Sequence, residues 1–478
     1  MGRKKRSIFF IFIFAFTIFI MGMMRTTPEF HLYNHQLLKS RLELGHVQNI
    51  FEISPLDDHP NVRYNVKDIR NIVPDIRPRT VKTPEMKLFK KVNHDVIFGL
   101  QNKNWTEWGD RHCSGNFYNF KGSIMLMNNV IIDPSKKRSV AKGGEDIQSV
   151  IGHTEKDEEV TVQSGFFNIL CKELPKVTFR KRSHFYNWFS GISTRKGDYD
   201  GNSYDSTFTV LVRRGDYANL YWTLMELFNT YLTIRLLGEN PKTTDVILMD
   251  AHPAGKLDNL WSILFGNVYR IGHMKKKRFH KKLAWVLPDG PMSQYVQNIP
   301  FVEEFKYTLY QGVQNSSSLY HNCTESQKVT FILRKDYVAH PRNPKGKVQR
   351  KLSNEKEIMD YLVQKFPKAH IHAIQIDLLP IEEQIQLIYE TTILIGIHGA
   401  GLGHTLLLRS GSTMIELFPS SYKRSPNPHF QQFAYWADVH YDRWYSSSPA
   451  QKSNEWVYVQ PEVPYKIINH AIDRFCKH

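Results

Sequence analysis

The residues whose types and spacing could do chemistry are one glycine-rich turn, a run of cations and two carboxylates. The turn, His398-Gly399-Ala400-Gly401, closes the apolar stretch 392–397 and opens a helix-permissive stretch to 409. A strand, a glycine turn and a helix start bring backbone N–H groups to one point, which makes a seat for an anion such as a nucleotide diphosphate. The next strand carries Glu416 toward the same edge. Upstream, an apolar strand ends in Arg334, with His340, Arg342 and Arg350 close behind. Cations just past a strand end lie where open α/β sheets bind ligands, and arginine grips phosphate through paired donors. His340 also admits a purely structural, hydrogen-bonding reading.

The carboxylates are Glu226 and Asp250. Asn219, Trp222 and Glu226 fall at i, i+3 and i+7 of a helix, so they share a face near its start, and an amide, an aromatic plane and an acid suit a sugar. The plainer alternative packs Trp222 in the core and leaves Glu226 in a surface ion pair. Asp250 ends the strand 245–250, a position that also suits a helix cap. Either acid could take the proton of an attacking hydroxyl while the cations and the turn stabilise a departing diphosphate.

Together, Tyr217-Ala-Asn219, Leu333-Arg334-Lys-Asp-Tyr-Val-Ala-His340-Pro-Arg342, Gly346-Lys-Val-Gln, Asn354-Glu355 and Ile395-Gly-Ile-His398-Gly-Ala-Gly-Leu402 carry a resemblance. The chain resembles glycosyltransferase family 61, and within it the branch that adds β-1,2-xylose to the core mannose of N-glycans. That resemblance implies inverting transfer of xylose from UDP-xylose to an N-glycan, with Arg334, His340, Arg342, Arg350, residues 398–401 and Glu416 on the donor. The shared helix face sets Asn219 and Trp222 toward the acceptor. The family usually has histidine where Trp222 stands and aspartate where Glu226 stands. Because the family keeps an acid there, and its helix face presents Asn219 as well, Glu226 is the favoured base. The alternatives are a family 61 N-acetylglucosaminyltransferase acting on a protein hydroxyl or O-mannose, and a non-catalytic lumenal sugar-binding relative.

The elements that must position these residues follow a strand–helix alternation. Strands at 206–213, 245–250 and 283–287 alternate with helices at 217–237 and 257–265. The second half repeats the pattern, with strands ending at 334, 376, 397 and 417 and helices at 355–365, 381–389 and 402–409. The expected fold is α/β, two Rossmann-like domains facing one another across a cleft. This is the GT-B arrangement, which the family resemblance also implies. The expected boundaries are an acceptor-side domain at 96–310, a donor domain at 326–440, and a terminal segment at 441–478 whose helix packs back on the first domain. The charged stretch 136–159 reads as a surface loop.

With 478 residues, 41% of them apolar, the chain can bury two domain cores. Its 63 basic and 46 acidic residues give a net charge of +17, but the charges are scattered and no nucleic-acid-binding signature accompanies them. An anionic sugar nucleotide or a membrane surface accounts for the sign. Four cations at 3–6 precede an uncharged stretch at 8–24, the pattern of a type II anchor with a cytosolic tail at 1–7 and a Golgi-lumenal body. The proline-scattered 25–95 reads as a stem. A lumenal body accords with glycosylation acceptors at Asn104, Asn315 and Asn322 and with four cysteines, which allow two disulfides in any of three pairings. Asp198-Tyr-Asp200 lies in a glycine-flanked polar loop and reads as a turn. With cations available to neutralise the diphosphate, no divalent metal or other cofactor is expected to be required.

Overall fold

The computed structural model describes residues 72–73, 109–177, 184–197, 204–286, 299–314, 326–422, 428–446 and 455–475. The expected anchor and tail, the three glycosylation acceptors Asn104, Asn315 and Asn322, the Asp198–Asp200 pair, Cys323 and Cys476 lie outside them. Among the described residues no helix is long and apolar enough to cross a membrane.

The apolar runs of the second half become a parallel sheet. Its strands stand in the order His440–Tyr445, Thr413–Phe418, Ile393–Ile397, Lys328–Ile332, His370–Ile374. The two central strands, Ile393–Ile397 and Thr413–Phe418, are buried along their whole length, as a sheet covered on both faces requires. Ile72–Val73, within the stretch expected to be stem, pairs antiparallel with His440–Tyr445 and so covers the sheet edge.

The first half is mixed where the alternation pointed to a parallel sheet. Val268–Arg270, Asp245–Leu248, Tyr204–Val212 and Arg278–Trp285 are parallel neighbours. Ile124–Ile132 then adds antiparallel to Arg278–Trp285 and is followed by Phe117–Phe120 and Asp110–His112. Phe167–Leu170 also pairs with Ile124–Ile132, and a Cys113–Cys171 disulfide ties its end to the turn after Asp110–His112.

The Leu220–Leu236 helix joins the halves. Asn219 caps it, its side-chain oxygen accepting from the N–H groups of Tyr221 at 3.1 Å and Trp222 at 3.4 Å. Gly238, at φ +76°, ends it in the left-handed conformation glycine tolerates. The helix is buried nearly all round because apolar side chains of both halves meet it. Leu224 and Phe228 share one cluster with Leu402, Leu406, Phe430 and Phe433 of the second half, so the two halves have a common core along this seam. Packing is close at Gly403, where an added Cβ would lie 3.2 Å from the Tyr221 Cα and N atoms.

Two further expectations are corrected. The C-terminal helix, Glu462–Arg474, packs on the second half, not the first: Val463, Ile467, Ile468 and Ala471 join Ile358, Leu362 and Ile393, and Arg474 pairs with Asp442 at 2.6 Å. Its apolar stripe meets the nearest uncovered face of the sheet it follows. The 136–159 stretch is not wholly superficial either. Glu158 is buried and holds His252 Nδ1 at 2.7 Å.

A side chain at Gly403 has to displace backbone, so Gly403→Val should cost about 1–3 kcal/mol, the range for overpacked cores. Thermal unfolding of the variant checks this: a lowered midpoint is expected, and an unchanged one would show that the seam is looser than described.

Candidate active site

In the second sheet the chain runs outward to one side from Lys328–Ile332 to His370–Ile374, then returns to build Ile393–Ile397 and beyond on the other. The order reverses between Lys328–Ile332 and Ile393–Ile397, and open α/β sheets bind ligands past the carboxyl ends of such strands. Arg334 follows the first of them and His398-Gly399 the second. They meet: a Cβ on Gly399 would stand 1.7 Å from Arg334 Nη1, so a side chain here would displace the guanidinium from its place over the turn. The other two turn-region contacts are also with protein, since a Cβ on Gly401 would touch Ile332 at 3.2 Å and one on Gly403 would meet Tyr221. The helix expected at 402–409 is a 3-10 helix, Ala400–Leu407. Its first N–H groups open beside Arg334.

Arg334 Nε donates to the Gln349 carbonyl at 2.9 Å, and Arg350 Nη1 donates to the Tyr422 hydroxyl. The Arg350 guanidinium also lies 5.7 Å from the Tyr422 ring centre, and its buried Nε has no acceptor among the described residues. The loop between the arginines is folded firmly. Asp336 accepts from Val348 N at 2.8 Å and Lys351 Nζ at 2.9 Å, while Gly346, at φ +62°, packs so tightly on Tyr337 that any Cβ would overlap its backbone. Neither arginine forms an ion pair with a carboxylate among the described residues. Burial and the neighbouring Arg350 push the Arg334 guanidinium down to about 10, so it stays charged at neutral pH but repelled.

His398 Nδ1 is held by Glu416 Oε1 at 2.5 Å, and Tyr441 donates its hydroxyl to Glu416 Oε2 at 2.6 Å. Glu416 is fully buried, so it orients the His398 ring and is not a ligand at the edge. Nε2 is the His398 nitrogen left for a ligand. Burial, with Glu416 next to it, keeps Tyr441 in its hydroxyl form.

The acids of the first half are placed differently from expectation. Asp250 is buried and takes Arg214 Nη2 at 2.7 Å and Nε at 3.0 Å. Burial would raise its carboxyl, but Arg214 overrides that and holds it far below the usual range. Both oxygens serve this ion pair, which leaves Asp250 as a counter-ion. Glu226 is also buried, and its Oε1 accepts Gly215 N–H at 2.5 Å, anchoring the 213–216 loop. Asn219 is spent as the helix cap, and Trp222 lies partly buried against the His429 ring, 6.0 Å centre to centre.

His340 and Arg342 leave the arginine pair and cross to the first half. His340 Nε2 reaches Asp216 Oδ1 at 3.1 Å, Arg342 Nη2 lies 4.0 Å from Oδ2, and His340 Nδ1 is buried with no partner among the described residues. Burial raises the Asp216 carboxyl, but His340 and Arg342 bring it below its ordinary value, so it is ionised at neutral pH. Asp216 was missed in the sequence although it closes the Arg-Arg-Gly-Asp turn that follows the strand Tyr204–Val212. Only its contact with His340 sets it apart. Tyr422 and Tyr441 were missed because their partners are far away in sequence. Among the described residues no cluster of His, Cys, Asp and Glu is arranged to hold a metal ion.

Residues 257–415 match the family model described as Glycosyltransferase 61, a range that includes the arginine pair, His340 and the 398–401 turn but not Asp216 or Glu226. The strand-end cations fall inside a stretch similar to glycosyltransferase family 61, in agreement with the resemblance. Among curated proteins the chain is similar to Beta-1,2-xylosyltransferase RCN11 of Oryza sativa subsp. japonica, 25% identical over 365 residues covering 67% of each chain. It is also similar to Beta-1,2-xylosyltransferase of Arabidopsis thaliana, 22% identical over 377 residues covering 63% of this chain and 70% of the other.

A methyl group at Gly399 must push Arg334 off the turn. Gly399→Ala should therefore weaken binding of inorganic diphosphate by about tenfold or more, measured by titration calorimetry, in protein that still unfolds cooperatively. Unchanged binding would place the anion elsewhere.

Proposed function

We propose that this chain is an inverting xylosyltransferase that moves xylose from UDP-xylose, in β-1,2 linkage, to the core mannose of N-glycans, working in the Golgi lumen from a type II anchor. The observation that carries the reading is the arginine pair without carboxylate partners at the reversal point of the second sheet. A nucleotide diphosphate supplies the missing charge, and bidentate arginine donors match its oxygens. The similarity to two β-1,2-xylosyltransferases supports xylose as the transferred sugar and β-1,2 as the linkage. The two sheets support a GT-B-like division in which the second half takes the donor and the first presents the acceptor.

In the transfer, the acceptor hydroxyl oxygen bonds to the anomeric carbon from the face opposite the diphosphate. The bond from that carbon to the diphosphate oxygen breaks, and its electron pair leaves with UDP. Arg334, Arg350 and the N–H groups at the start of Ala400–Leu407 stabilise the growing charge, an effect worth roughly 3–4 kcal/mol for one well-placed donor. The hydroxyl proton needs a base, and neither Asp250 nor Glu226 is placed to take it: one is tied to Arg214 and the other is buried against Gly215. His340 fits better. With Nε2–H given to Asp216, its Nδ1 lone pair is the unpartnered one, and the Asp216 carboxylate stabilises the imidazolium that forms.

Full-length protein in detergent, given UDP-xylose, UDP-glucose and UDP-N-acetylglucosamine with N-glycan or peptide acceptors, tests this. Xylose transfer to the N-glycan is expected. Transfer of N-acetylglucosamine to a peptide hydroxyl, or sugar binding without turnover, would replace the reading. His340→Gln should lower kcat about a hundredfold or more and leave the donor KM nearly unchanged. Glu226→Gln should chiefly lower stability. The reverse pattern would return the base to Glu226.

A further inference from the structure

Two segments of the first half cross one face of its sheet side by side. Residues 133–142 leave the end of Ile124–Ile132, and residues 271–277 lead into Arg278–Trp285, where Arg278 stands opposite Ile132. At that end Lys277 Nζ lies 3.2 Å from Asp133 Oδ2. At the other, His273 Nε2 donates to the Gly143 carbonyl at 2.7 Å, and a Cβ on Gly272 would overlap the Lys142 carbonyl. Tied at both ends, the segments run antiparallel and form one strip. Their inward side chains, Ala141, Ile271 and Met274, pack with Leu211 and Trp285. Val210 and Val212, on either side of Leu211, point to the opposite face and join the cluster of the Leu220–Leu236 helix. The strip therefore covers the face of the sheet turned away from that helix and from the seam.

Its outward side is basic. Lys136, Arg138, Lys142, Lys275, Lys276 and Lys277 are exposed, and the one acid within the two segments is Asp133, which Lys277 meets. Acids that adjoin the Lys142 end have other work: Glu145 accepts the Lys142 N–H at 2.9 Å, Asp157 accepts from Thr154 at 2.8 Å, and Glu158 holds His252. Apolar side chains stand in the same place. Val140, 75% exposed, lies between Arg138 and Lys142. Tyr186, 71% exposed, belongs to the helix His184–Ser190, whose Asn187 side chain bonds both the N–H and the carbonyl of Val162, the residue opposite Lys137. Among the described residues these are the two most exposed large hydrophobic side chains.

We infer that this strip is a membrane-contact surface, which lays the body of the protein on an anionic bilayer with the seam turned away from it. Cations next to an anionic lipid surface are attracted to it, and the attraction adds up over a cluster. A soluble polyanion would use the cations alone. Exposed Val140 and Tyr186 beside them favour a bilayer, where an apolar side chain leaves water and a tyrosine sits at headgroup level. The surface goes beyond the proposed reaction and does not need an anchor at 8–24; an anchor would only raise the local concentration of the strip at the bilayer.

Limited trypsin digestion of the full chain with vesicles tests this, with cleavage after each basic residue followed by mass spectrometry. Exposed Lys368, in the second half, is the internal reference. With vesicles of phosphatidylcholine containing about 30% phosphatidylserine, cleavage at Arg138, Lys142 and Lys275 should slow about fivefold or more relative to Lys368, and about 0.5 M salt should restore it. Phosphatidylcholine alone should give little protection. The Lys275→Glu, Lys276→Glu double variant should lose the protection at Arg138 and Lys142. Equal cleavage ratios with both kinds of vesicle, protection that survives the double variant, or protection by heparin and not by anionic vesicles would each overturn the inference. Retention on phosphatidylcholine vesicles through salt washing reports the anchor separately, so loss of the anchor and failure of the strip are read apart.

Discussion

Two like charges held close together, with Asp377 as a neighbouring carboxylate but no direct ion pair among the described residues, are the constraint on which the site depends. Arg334 and Arg350 repel one another, and repulsion between guanidiniums out of bulk water is costly enough that the scaffold must hold them there. It does so with neutral groups. The Gln349 carbonyl and the Tyr422 hydroxyl fix the two side chains without cancelling their charge. Gly399 gives Arg334 its place over the turn, and the Asp336 and Gly346 contacts set the loop that returns Arg350 to it. An anion bound here relieves a repulsion that folding has already overcome, which is electrostatic preorganisation in physical terms.

One loop carries both ends of the chemistry. Between Arg334 and Arg350 the chain crosses the seam, gives His340 and Arg342 to Asp216, and comes back. The seam itself is rigid because the Leu220–Leu236 helix shares its core with the 3-10 helix that follows the turn. Position of the donor seat is therefore coupled to position of the 213–219 loop. In the proposed mechanism this keeps the base and the leaving group in register although they belong to different halves.

The segments with strong local patterns were legible in the sequence. Apolar β-branched strands ending in Arg334 and in His398-Gly399 define the reversal point, and the structure brings these ends together. What was not legible depends on contacts distant in sequence. Asp250 reads as a strand-end acid until Arg214 is seen to occupy it, and Glu416 reads as a ligand until His398 and Tyr441 are found on its two oxygens. His340 could be read as a phosphate ligand because nothing local reveals Asp216. The turn glycines read as room for a ligand, whereas in the structure Gly399, Gly401 and Gly403 lie against Arg334, Ile332 and Tyr221. Helix Glu462–Arg474 was legible as a helix, but a stripe does not say which sheet it covers.

The central claim is that the arginine pair is a seat for a diphosphate. The most direct test is the salt-dependent affinity of the full chain for uridine, UMP and UDP, compared with an Arg334→Ala, Arg350→Ala double variant. Affinity should rise steeply from uridine to UDP, fall as salt is added, and lose its dependence on phosphate number in the variant. Equal discrimination between UDP and uridine by the folded double variant would contradict the account.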